Sequence, residues 1–385
     1  MSRIGEPTVA ILELLAERQR ASRSELATAT GLSAATVGRA VARLRRQGLL
    51  REVAVDAIGA GRPPHIVELD DHSASVVAID AGGRTLRATV ASVGGRLGAR
   101  IARPVRDPAD PDALLDDLVA LVHALAETVG PGTIHAVVAG ISGIVDHANG
   151  RVLLSPDLPG LNGIAVAARL ATRLELPAAV DNDDLLAAIG EATAGAAMGC
   201  RDVVFLSLGY GLGAGLIVGG SPVRGASHAA GAIAYLGPGR FDERASGRAI
   251  PLRYRELVGG RGPAVADARQ VFELAEAGDP AAIQVVADVV GSLGDLAVDV
   301  AALLDPEVIV VGGGLADAGS ALFGPLESRL RASLPYPPRL VASALEDAAV
   351  LHGAVSLALT LARRRLAGLA SVADTTPDRS AVPML

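Results

Sequence analysis

The sequence predicts an α/β protein headed by a small, mainly helical N-terminal domain, and three observations lead there. Residues 1–70 hold three short helical patterns followed by two strand-like runs, whereas from Ser75 onward strands alternate with helices. Half the residues are hydrophobic but only 2% are aromatic, so the cores must be packed from Ala, Val, Leu and Ile on regular elements. A chain of 385 residues suits two or three domains and is long enough to bury a real core without staples.

In the first domain, Pro7 to Arg20 reads as a helix because Val9, Ile11, Leu12 and Leu15 recur at helical spacing. Ser22 or Ser24 can cap a second helix, Arg23 to Thr30, which stops at Gly31. Ser33 is placed to cap a third, from about Ala34 to Gln47, which Gly48 ends. Leu49 to Val53 and His65 to Leu69 then read as short strands around the Gly/Pro-containing loop Asp56 to Pro64. Together these make a winged helix-turn-helix.

Within the third helix, Val37, Val41 and Leu44 face inward, and Thr36, Arg39 and Arg43 fall on the opposite, polar face. A hydroxyl and two guanidinium groups there suit base edges and phosphates in a major groove, with Ser33 at the helix start and Arg46 beside Arg45 toward the backbone. The helices alone are equally compatible with a solvated face on an ordinary bundle. The loop Gly61-Arg62-Pro63-Pro64 tips the balance, since it puts Arg62 on a stiff, narrow tip that fits a minor groove. Charge agrees: the net value is −7 and there is no lysine, yet residues 1–70 carry ten arginines against eight acidic residues.

Beyond Ser75, strands are expected at Val76–Ile79, Thr85–Val93, Ile134–Ile141, Ala178–Val180, Val203–Leu208, Gly215–Val218 and Val308–Val311. Helices are expected at Asp112–Val129, Asp184–Gly195 and Ala281–Leu304, the last with Ile283, Val286, Val290, Leu293, Val300 and Leu303 along one face. Asp288, Asp295 and Asp299 argue against a membrane span there, and Met1 to Pro7 show no secretory signal, so a cytoplasmic protein is expected. The single cysteine, Cys200, excludes an intramolecular disulfide and a multi-cysteine zinc site. The seven histidines show no ligand spacing, and no nucleophile elbow is present.

Five glycine-bearing segments in order give the chain its resemblance to the ROK family of bacterial repressors and sugar kinases. They are Asp80-Ala81-Gly82-Gly83-Arg84, Gly140 to Asp146, Ser155 to Gly163, Gly209 to Gly215 and Gly312 to Gly314; Gly31 to Ser33 and Gly61 to Pro63 match the family's turn and wing. The resemblance implies a winged helix-turn-helix followed by a two-lobed, actin-like ATPase (sugar kinase-like) fold. The boundaries expected are 1–70 for the DNA-binding domain, 75–185 and 186–366 for the lobes, and 367–385 for a loosely ordered tail.

By the same resemblance, Asp80, Asn162, Asn182, Asp183, Gly211 and Gly213 are the candidate ligand-binding residues, Asp183 standing where a kinase has its catalytic base. Retention for folding explains Asp80, Asn182, Asp183 and Glu191 slightly better than catalysis. Three departures weaken the kinase reading. Arg84 replaces the threonine of the first phosphate loop, Ala232 and Tyr235 replace a sugar-holding Glu and a zinc-binding His, and Gly237 to Leu252 contains no cysteine. No metal, no cofactor and no kinase activity are therefore expected. The leading expectation is a transcriptional regulator, a repressor by preference, that binds a double-stranded DNA operator as a homodimer or homotetramer and responds to a sugar or related effector. The rivals are an ATP-dependent sugar kinase that kept a DNA-binding domain, and a constitutive DNA binder whose second domain serves only dimerisation.

Overall fold

The computed structural model describes residues 7–53, 66–130, 132–236 and 241–368. The N-terminal domain consists of α1 (Pro7–Arg18), β1 (Arg20–Ser22), α2 (Arg23–Thr30), α3 (Ala34–Arg46), β2 (Leu50–Val53) and β3 (Ile66–Leu69). Ser22 and Glu25 form a capping box at the start of α2: each side chain accepts the other residue's backbone N–H. Gly31 ends α2 in the left-handed conformation at φ 70°, which a side chain would oppose. Ile11, Leu12, Leu15, Leu26, Val37, Val41, Leu44 and Val67 form one buried cluster. The strand β1 was not foreseen, because three residues carry no readable period; it pairs antiparallel with β3, which in turn pairs with β2.

The remainder continues with β4 (Ser75–Ala81), β5 (Thr85–Ser92), β6 (Leu97–Pro104), α4 (Pro111–Val129), β7 (Ile134–Ile141), β8 (Ile144–Asp146), β9 (Arg151–Leu154), α5 (Val166–Leu174) and β10 (Ala178–Asn182). Next come α6 (Asp183–Ala194), β11 (Val203–Leu208), β12 (Leu212–Val218), β13 (Ser221–Pro222), α7 (Phe241–Ala245), α8 (Ala249–Val258), α9 (Ala268–Glu276) and α10 (Pro280–Leu304). The chain closes with β14 (Val308–Gly312), α11 (Ser320–Ser333), β15 (Arg339–Ala342) and α12 (Ala349–Leu366).

Two five-stranded sheets result, in the orders β10-β7-β4-β5-β6 and β13-β12-β11-β14-β15. Numbered from its own first strand, each sheet runs 5-4-1-2-3 or its mirror reading, so one topology is used twice. In each, the first three strands are an antiparallel meander and the fourth lies parallel to the first. The central strands β4 and β14 are buried along their whole length, as near-continuous apolar runs require. The strand β6 escaped the sequence reading because it is an edge strand, exposed at most positions and without apolar alternation.

The chain divides into two compact units, although not in linear order. One holds the chain to Ile141, Asp146–Val180 and the chain from Ala354; the other holds Ser142–Val145 and Asp181–Gly353. Most of α12 thus belongs to the first unit.

The inward face of α10 agrees with the expected one at Leu293 and Val300, which are buried, and at Val286 and Val290, which pack partly buried against the core, and differs at Ile283 and Leu303. Ala282, Val285, Val289, Leu293, Leu296, Ala297 and Val300 are buried, whereas Ile283 is 48% and Leu303 83% exposed. Apolar residues occur nearly all round this helix, so packing against α11, α9 and α8 selects the stripe. Among the described residues α10 alone has the length and apolarity to cross a bilayer, and its inner stripe belongs to the core of the second unit.

Candidate nucleic-acid interface and ligand loops

The reading helix α3 begins at Ser33, whose hydroxyl accepts the Thr36 backbone N–H at 3.2 Å and lies 2.9 Å from the Thr36 hydroxyl. Ser33 is therefore engaged as the cap that starts the helix. Arg39 is exposed and reaches back to the Thr36 hydroxyl at 3.4 Å, and Arg46, further along α3, is exposed with no ion-pair partner among the described residues. Arg45 instead shares Glu52 with Arg23, at 2.8 and 3.0 Å, bracketing the start of the wing strands. Arg62 and the loop expected to form the wing tip lie outside the described residues.

Arg43 departs from the expected DNA-facing set. It is half-buried and donates to the backbone carbonyl of Ala367 at 2.7 Å, while Gln47 donates to the carbonyl of Leu366 at 3.1 Å. The reason lies in the helical wheel: Arg43 and Gln47 sit on the edge of α3 beside buried Ala40, and that edge is covered by the end of α12.

In the first unit, Asp80 is 6% exposed and accepts from Arg87 at 3.1 Å. The two residues face each other across the β4–β5 ladder, so the register itself supplies the cation. Arg87 thus pairs with a carboxylate that is largely shut off from solvent. Arg84 is exposed. The close approach in this loop belongs to Gly83, where an added Cβ would come 2.6 Å from the Cβ of Asp157. Asn162 is exposed, and its Oδ1 accepts the Ser155 backbone N–H at 2.6 Å, closing the loop from 155 to 162.

In the second unit, Asn182 caps α6: its Oδ1 accepts from Leu185 N at 2.8 Å and its Nδ2 donates to Gly143 O at 2.8 Å and to Asp183 Oδ1 at 3.1 Å. Asp183 also accepts the Asp184 backbone N–H at 3.0 Å and is half-buried. Asn182 is thus spent on local structure, and Asp183 sits at the N-terminus of α6.

The glycine loop after β11 is closely packed. A Cβ on Gly213 would lie 1.7 Å from Asp184 Oδ2, so glycine there admits the start of α6; Gly211 is less crowded, with Asp242 Oδ1 at 3.5 Å. The buried carboxylate of Asp242 accepts the Leu212 backbone N–H at 3.0 Å and pairs with Arg248. Gly247 N donates to Gly209 O at 2.8 Å. Of the loop's backbone donors, the Leu212 N–H is thereby taken up within the fold. The stretch from Gly231 to Leu252, which carries neither cysteine nor histidine, does not fit a structural zinc site.

Two further charged residues of the second unit are buried in its structure, and of these Asp181 was not singled out by sequence reasoning. Asp181, 1% exposed, accepts from Arg224 at 2.6 Å and again at 3.2 Å, a two-pronged pair. An aspartate inside the apolar strand Ala178–Asn182 was the available signal. Glu191, fully buried, accepts backbone N–H groups from Ala196 at 2.7 Å and Leu345 at 3.1 Å and the Ser343 hydroxyl. It is a structural staple between α6 and the loop that precedes α12.

Comparison with known proteins follows the same division. Residues 8–51 match a winged helix-turn-helix DNA-binding family, and residues 76–361 match the ROK family. The chain is 28% identical to a glucokinase of Thermotoga maritima over 73% of its length and 96% of the relative's. It is 22% identical to a putative xylose repressor of Caldicellulosiruptor sp. over 91% and 94%. A crystal structure of a ROK family transcriptional regulator, a homolog of the E. coli MLC protein, superposes with a TM-score of 0.81 at 22% identity, covering 94% of this chain and 98% of that one. A ROK family glucokinase from Streptomyces griseus, solved with glucose and AMPPNP, gives 0.64 at 27% identity over 74% and 99%. The match over residues 76–361 takes in well over half of the chain, joined to a winged helix-turn-helix at its N-terminus, and so this protein belongs to the ROK family.

Proposed function

We infer that the protein is a cytoplasmic DNA-binding transcriptional regulator, a repressor that responds to a sugar or a related metabolite and acts as a dimer or tetramer on a double-stranded operator. The observation that carries this reading is the exposed stripe of α3, where Arg39 and Arg46 have no ion-pair partner among the described residues and stand on a capped reading helix. The likeness to a putative xylose repressor over 91% of the chain supports the repressor role and the sugar as effector. For a ligand to act as a switch it must bind the DNA-competent and DNA-incompetent arrangements with different affinity.

Genome-wide capture of bound DNA followed by footprinting tests the reading. Protected promoter segments are expected, together with weaker binding and a shallower salt dependence for Arg39→Ala. Absence of any protected sequence at low salt overturns it. Melting curves across a sugar panel separate a sensor from a constitutive binder, since a ligand selective for the folded state raises the melting temperature.

A second reading, phosphorylation of a sugar by ATP, draws on the glucokinase relatives and on Asp183 being kept at the start of α6. Arg87 on Asp80, together with Ala232 and Tyr235 in place of sugar and zinc ligands, favours the regulator. ATP-dependent turnover that vanishes in Asp183→Ala would reinstate the kinase.

A further inference from the structure

The last turn of α12 meets the reading helix at atoms suited to hold it. The final carbonyls of a helix lack intrahelical partners and carry the negative end of its dipole. Here the carbonyls of Leu366 and Ala367 accept from Gln47, the C-cap of α3, and from Arg43 within it, at 3.1 and 2.7 Å. The Arg43 bond is charge-assisted and joins groups 324 residues apart in sequence.

Further contacts fix that turn. Gly368 closes it in the left-handed conformation at φ 74°, donating to Arg365 O at 2.9 Å, while Ala367 N donates to Arg363 O at 2.9 Å. The Leu366 side chain packs on the cluster formed by α1, α2 and α3, and Ala367 is 3% exposed. Arg365 and Arg363 donate to the carbonyls of His135 and Val93, at 3.3 and 3.4 Å, so the same turn is tied to the sheet of its own unit. A Cβ on Gly368 would stand 2.6 Å from Arg43 Nη2, so the turn and the guanidinium occupy one fitted space.

We propose that the C-terminal turn Leu366–Gly368 is a clasp that sets the attitude of the DNA-reading helix through Arg43 and Gln47. Arg43 is then a positioning residue for DNA recognition rather than a contact to DNA. The proposal rests on the DNA-binding reading above and deepens it. Because α12 is one continuous helix whose first turn, up to Gly353, belongs to the second unit, it supplies a covalent route from that unit to α3.

The test uses the full chain in five forms: wild type, Arg43→Leu, Arg43→Lys, Gly368→Val and Arg39→Ala. Hydrogen exchange in α3 is read without DNA, and affinity for a mixed-sequence duplex is read across a salt series. With the clasp broken in Arg43→Leu and in Gly368→Val, α3 exchanges about tenfold faster and affinity falls about tenfold, the scale of one lost charge-assisted bond. The salt slope stays at the wild-type value in both. Arg43→Lys, still a cationic donor, restores most of the loss. In contrast, Arg39→Ala lowers the slope by about 0.9, as loss of one phosphate contact does, with exchange unchanged.

The clasp is overturned if Gly368→Val matches wild type in exchange and affinity, or if Arg43→Leu lowers the salt slope without touching exchange. Should Arg43→Leu fail to fold, Gln47→Glu replaces it, setting a carboxylate against the Leu366 carbonyl. If wild type binds no duplex, the DNA-binding reading fails, while the exchange measurement still decides whether the turn holds α3.

Discussion

Arg224 and Asp181 show how much a single buried ion depends on its partner. Asp181 is 1% exposed, so truncating Arg224 leaves an uncompensated charge in the interior. Arg224→Ala is expected to cost about 3–5 kcal/mol in urea denaturation, and the Asp181→Asn/Arg224→Ala double variant less than the sum of the singles. Glu191 follows the same logic with backbone donors: Glu191→Ala strands the amides of Ala196 and Leu345 and is expected to cost at least about 3 kcal/mol in the same measurement. Both residues lie close in sequence to Asn182 and Asp183, yet neither role follows from residue type. A buried carboxylate looks alike in sequence whether it serves a proton, a guanidinium or a loop.

At the scale of elements, the tightest crossing is that of α6 and α12 in the second unit. An added Cβ on Gly353 would fall 1.9 Å from Leu186 O, and one on Gly190 would fall 2.2 Å from Ala349 O. The two glycines let one backbone rest on the other. Gly353→Ala must separate the helices, and a loss of roughly 1–3 kcal/mol or more is expected from thermal unfolding. A glycine within a helical pattern marks such an approach but does not name its neighbour. Element boundaries were legible where capping chemistry was strong: Ser22, Gly31 and Ser33 stand at the ends expected of them. They were illegible for β1 and β6, where three residues in one case and an exposed edge in the other leave no period. The inner face of α10 differs only at Ile283 and Leu303, and for a related reason, since an all-round apolar helix does not declare which stripe its neighbours will cover.

At the scale of the molecule, pH dependence should report histidines taken out of water. Burial lowers His135, with Arg365 adding to the effect, and burial lowers His352 against the opposing pull of Glu191. Both are therefore neutral when folded at a pH where the unfolded chain is protonated. The unfolded state then binds more protons, so stability rises with pH across that window and is lost as pH falls below the ordinary histidine value of about 6.5. Melting temperature is expected to drop between roughly pH 7.5 and roughly pH 5.5, and a His135→Gln/His352→Gln variant to flatten the curve.

The sequence by itself determined the kind of protein this is. Hydrophobic period, caps and turn glycines are local properties, and they sufficed for the winged helix-turn-helix, the alternation of strands and helices, and the ordered glycine loops of a ROK chain. Tertiary structure alone decided which polar groups are spent on holding the fold together. Arg43 points at Ala367 and not at solvent, Asp80 faces Arg87, and Asp181 is claimed by Arg224. The physical reason is that a side chain's partner is set by which distant backbone arrives beside it, and that arrival is fixed by packing across the whole core, not by neighbours along the chain.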